Sequence, residues 1–86
     1  MEAKGWLAEE LEVLRRTRDE LRVKLNLAGK EARDRFEVAE KHWNELESRA
    51  RQVGRESKAA AGEVGEALRR LAADLKQAYE HVRRAL

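Results

Sequence analysis

An apolar seam constrains this chain more than any other feature. Leu7, Leu11, Leu14, Leu21, Leu25, Ala28 and Ala32 follow one another in alternating steps of four and three, with Arg18 filling one slot. That spacing keeps a single stripe on one face of an α-helix and is the heptad signature of helices packed side by side. Phe36 follows after a second consecutive step of four, which relaxes the left-handed supercoil locally. The seam then resumes through Ala39, Trp43, Leu46, Ala50 and Val53, and a later run holds Val64, Leu68, Leu71, Leu75, Ala78, Val82 and Ala85. No window alternates with period two over a useful length, so strands are not expected.

The chain has no proline, and nothing interrupts the seam except glycine. Gly29, in NLAGKEA, could cap a helix, because glycine accepts the left-handed conformation. No N-cap residue follows it, the phase crosses it unbroken, and one glycine inside a helix costs only ~1 kcal/mol relative to alanine. The expected fold is therefore all-α: a long antiparallel helical hairpin, coiled-coil-like, with a helix at about 3–53, a turn at about 54–63 and a helix at about 64–86. The alternative is a compact three-helix bundle with a break at Gly29.

The turn falls in VGRESKAAAGEVGEAL, which holds three of the five glycines. A phosphate-binding loop needs a second glycine five positions after the first, followed by Lys and Ser or Thr, and it needs a preceding strand. Ala59 stands in that slot after Gly54, so the stretch reads as a bend, with Gly54 ending one helix and Ser57 capping the next. Folding there with residue numbers summing to 121 sets Val53 by Leu68, Ala50 by Leu71, Leu46 by Leu75, Trp43 by Ala78, Ala39 by Val82 and Phe36 by Ala85, and it flanks Arg49 with Asp74. The expected hairpin core is Phe36, Trp43, Leu46, Val53, Leu68, Leu71, Leu75 and Val82. A register one heptad tighter sets Trp43 against Leu71.

Such a hairpin treats residues 1–86 as one domain made of two parts. Residues 35–86 form the hairpin, and residues 1–34 overhang by ~50 Å at the standard helical rise. An exposed apolar stripe of that length requires a cover, and a second copy is the simplest one. An antiparallel pairing of two overhangs, with numbers summing to 32, places Leu7 by Leu25, Leu11 by Leu21 and Arg18 by Leu14, and it pairs Glu10 with Lys24 twice. The expected self-association surface is therefore Leu7, Glu10, Leu11, Leu14, Arg18, Leu21, Lys24 and Leu25. A short chain that buries little surface alone gains stability by such association.

Chemistry is sparse. Without cysteine there are no disulfides or thiolate metal sites, which fits a reducing cytoplasm. His42 and His81 have alanine three residues before them, so the Glu-x-x-His motif of di-iron bundles is missing. The hairpin puts the two histidines on one edge, where they read as solvated flanking residues. No catalytic constellation, metal set or cofactor motif emerges, and the chain is not expected to be an enzyme. Its 19 basic and 17 acidic residues leave a net charge of +2, too balanced for a nucleic-acid binder. No apolar run is long enough for a membrane span, and no signal-peptide pattern stands out. Trp6 lies off the main seam and could anchor a partner or a bilayer. A helical protein partner suits the narrow Leu/Ala stripe better than a membrane surface does.

The stretch RDELRVKLNLAGKEARDRFEVAEKHWNELE, then a Gly/Ala-rich turn and LAADLKQAYEHVRRAL, resembles small bacterial coiled-coil proteins assigned to stress responses. The similarity covers roughly residues 18–86, with Gly29 where alanine or lysine would be expected. It implies a cytoplasmic helical protein of undefined molecular activity and brings no catalytic residues. Two readings follow: a self-associating structural or interaction module, or a peripheral lipid-binding helix protein.

Overall fold

The computed structural model describes the backbone of residues 2–55 and 63–86 and the side chains of residues 5–53 and 65–86. All regular structure among them is helical. The helices are α1 (Glu2–Lys24), α2 (Lys30–Arg55) and α3 (Glu63–Ala85), with a single 3₁₀ turn at Leu25–Leu27 joining α1 to α2. Helix is expected of such a chain, with its stripe at heptad spacing and its exposed faces laced with i,i+4 pairs such as Glu31–Arg35 and Lys30–Asp34.

The expected unbroken helix over 3–53 is divided. After the 3₁₀ turn, Ala28 turns extended, with φ −92° and ψ 157°, and Gly29 begins the next helix by accepting a hydrogen bond from the Arg33 amide at 3.3 Å. Gly29 does not adopt the left-handed conformation of a glycine cap. The break lies where the seam could have continued, so tertiary packing and not a local stop signal creates it. Gly54 is inside α2, which runs to Arg55, while Ser57 and Gly62 lie outside the described residues.

Cross-helix contacts give the directions. Glu10 pairs with Lys76 and Glu20 with Arg83, so numbers rise together along α1 and α3, which are parallel. Arg18 pairs with Glu40 and Arg15 lies over Trp43, so α1 and α2 are antiparallel. One buried cluster draws on all three helices, with Leu7, Leu14 and Leu21 from α1, Phe36, Ala39, Trp43, Leu46 and Val53 from α2, and Leu68, Ala72, Leu75, Ala78, Tyr79 and Val82 from α3. The α2–α3 pairing is tighter than the 121 register. A shared groove brings Arg35, Val38 and His42 level with residues 74–81, whereas that register sets them against 79–86. Arg49 accordingly pairs with Glu45 of its own helix and not with Asp74.

Candidate functional site

The residues expected to bind a second copy lie against this chain's own α2 and α3. Leu7, Leu14 and Leu21 are buried, and Leu11 and Leu25 are partly buried against the same cluster. The flanking charges are also engaged. Glu10 meets Lys76 at 2.5 Å, and Lys24 stays on α1 with Glu20 at 4.0 Å. Among the hairpin-core residues, Phe36, Trp43, Leu46, Val53, Leu68, Leu75 and Val82 are buried and Leu71 is partly buried.

Arg18 is the most informative member of this surface. Its Nε donates to one Glu40 carboxylate oxygen at 2.6 Å and its Nη2 to the other at 2.8 Å, a bidentate fork. The same guanidinium lies 5.4 Å from the Trp43 ring centroid, and Arg15 lies 5.6 Å from it. Two cations thus cover the face of a buried indole, where the ring quadrupole attracts them. The hydrogen bond to Glu40 holds the Arg18 pKa above its ordinary value, against the cost of partial burial. Tyr79 shares this neighbourhood. Its side chain is buried, its hydroxyl has no hydrogen-bond partner, and burial, with the Glu40 carboxylate adding to it, pushes the phenol pKa up.

Sequence reasoning placed Arg18 on the seam but missed Glu40, Tyr79, Lys76 and Arg83. A signal for α3 was available: Leu68, Ala72, Leu75, Tyr79 and Val82 step by four and three beside the seam already traced, so α3 carries two overlapping stripes. A helix with so wide an apolar face has two neighbours to cover it. Trp6, for which an anchoring role toward a partner or a bilayer was open, packs against the core with Arg69 4.6 Å above its ring.

On α2 and α3, Arg35, Val38, His42, Asp74, Gln77, Ala78 and His81 line an open groove of about 460 Å³. Arg35 bridges it by donating to the His81 carbonyl at 3.2 Å. Both histidines are there, yet among the described residues no group of three or more His, Cys, Asp or Glu side chains is arranged to hold a metal ion. No described helix is long and apolar enough to cross a membrane. The chain matches no protein-family model, no curated protein and no solved structure.

Proposed function

We propose that this chain is a non-enzymatic helical interaction module that folds alone as a three-helix bundle and self-associates through α1. The anatomy of the α1 contact supports this reading. A buried leucine strip, Leu7, Leu14 and Leu21, is bracketed by the cross-helix ion pairs Glu10–Lys76, Arg18–Glu40 and Glu20–Arg83. An apolar centre with a charged rim is how separate chains recognise one another, and a second copy presents the same complementary surfaces. Lys76 and Arg83 lie in residues 49–86, which hold 9 basic and 5 acidic residues, and their partners Glu10 and Glu20 in residues 1–48, which hold 10 basic and 12 acidic, a balance that favours pairing within a chain or between copies.

Sedimentation equilibrium over a micromolar to millimolar series tests the reading. A monomer passing to a dimer with rising concentration is the expected result. A monomer throughout overturns self-association and leaves the bundle as the resting form.

A further inference from the structure

We propose that Leu25–Gly29 is a hinge, and that opening it hands α1 to a second copy. The product is a dimer in which two straight helices over residues 2–55 run antiparallel about a two-fold axis at Gly29. This rests on the self-association reading and gives it a geometry.

The connector carries no chemistry that holds it bent. Lys24 is still helical, at φ −69° and ψ −22°, and makes no side-chain capping bond. The 3₁₀ turn is closed by one bond, from the Ala28 amide to the Leu25 carbonyl at 3.1 Å. The departure from helix is borne by Ala28, and alanine is the strongest helix former. Gly29 is outside the left-handed region, and a Cβ there would meet nothing within 4 Å. With no proline in the chain, the bend depends on the packing of α1 and not on the connector. Straightening requires Ala28 to leave its extended conformation for the helical one. The steps from Leu21 to Leu25, Ala28 and Ala32 are four, three and four, so the seam stays on one face of the straight helix.

The contacts transfer between copies without a change of register. Arg18 with Glu40 and Arg15 with Trp43 both pair residues whose numbers sum to 58. Two straight helices keeping those contacts cross at residue 29. Each chain then recovers Arg18–Glu40, Glu10–Lys76 and Glu20–Arg83 from its partner. Exchange of an identical element is a low-cost route to a dimer because it reuses contacts that already exist.

Charge-reversal complementation tests this. Arg18→Glu alone sets Glu against Glu40, and Glu40→Arg alone sets Arg against Arg18, in the bent monomer and in either homodimer. Only an exchanged heterodimer restores both pairs. The expected result, by sedimentation velocity with one variant labelled, is a one-to-one heterodimer at least about tenfold tighter than either homodimer. If a variant alone is unfolded, recovery of helical circular dichroism on mixing supports exchange, and no recovery overturns it. Wild-type dimerisation without complementation overturns exchange but leaves self-association standing, because an α1–α1 dimer does not bring position 18 to position 40. A wild type and a mixture that both stay monomeric overturn both.

Hinge variants give a second line. Lys30→Pro puts proline at the first helical position of α2, where its missing amide is unpaired in any case, and it forbids the straight helix. It is expected to fold and remain monomeric, and dimerisation as tight as wild type overturns the hinge. Gly29→Ala fits the bent form and favours the straight one, so dimerisation tightens about tenfold or more. An unchanged dimer also overturns the hinge.

Discussion

Tyr79 is the residue at which packing and polarity disagree. Its side chain is buried in the cluster that draws on α1, α2 and α3, yet its hydroxyl has no hydrogen-bond partner. An unpaired buried hydroxyl costs free energy that an apolar replacement of the same shape avoids. Tyr79→Phe is therefore expected to raise stability to urea by about 1 kcal/mol, and a fall of that size would show the hydroxyl to be satisfied in solution. The same burial sets a pH dependence. The native state keeps a phenol proton that the unfolded chain releases near pH ~10. The contribution of Tyr79 is full below that ordinary value and is lost as pH rises toward the raised native value, at up to ~1.4 kcal/mol per pH unit. The stability gap between wild type and Tyr79→Phe should widen on alkaline titration, and a flat gap would refute the assignment. Arg18 shows how far sequence reaches at this scale. Its seam position was legible from spacing. Its partner was not, because Glu40 is one of 17 acidic residues and nothing in its spacing marks it as facing α1.

The elements divide the same way. The end of α2 and the start of α3 fall within two residues of where the glycine-rich bend put them, since periodicity on both sides fixes the limits. The break between α1 and α2 was weighed and set aside, because no proline, left-handed glycine or cap enforces it. It exists because the α1 leucines have a place to go, on the second stripe of α3 formed by Ala72 and Tyr79. A helix recruited by packing gains from any local preference added to it. Gly5 lies on an exposed part of α1, and a Cβ there meets nothing within 4 Å. Gly5→Ala is expected to stabilise α1 by about 0.5–1 kcal/mol through the entropy that glycine loses on folding. Slower amide exchange at Leu7 and Leu11, with a higher melting midpoint, would register it. Unchanged exchange would mean that α1 is limited by its docking and not by its own helix.

The described residues of the whole molecule measure 44 × 18 × 17 Å, with a backbone radius of gyration of 13.8 Å. A straight helix over 2–55 would by itself extend roughly 80 Å. Small-angle scattering therefore separates the bent and open forms without any label. Dilute protein is expected to give the compact value, and concentrated protein a rod longer than that single helix. Salt distinguishes exchange from simple sticking. Glu10–Lys76 and Glu20–Arg83 include exposed side chains, which 1 M salt screens to ~3 Å, so each weakens. In the exchanged dimer the same pairs recur in trans, one for each lost in cis, so screening lowers the stability of both forms together. The concentration at which the rod appears should thus barely move between low and high salt, while the urea midpoint of either form falls. A surface-to-surface dimer held by new charge pairs would instead dissociate as salt rises. A strong salt shift in the scattering midpoint would therefore count against exchange of α1, even if the protein were dimeric.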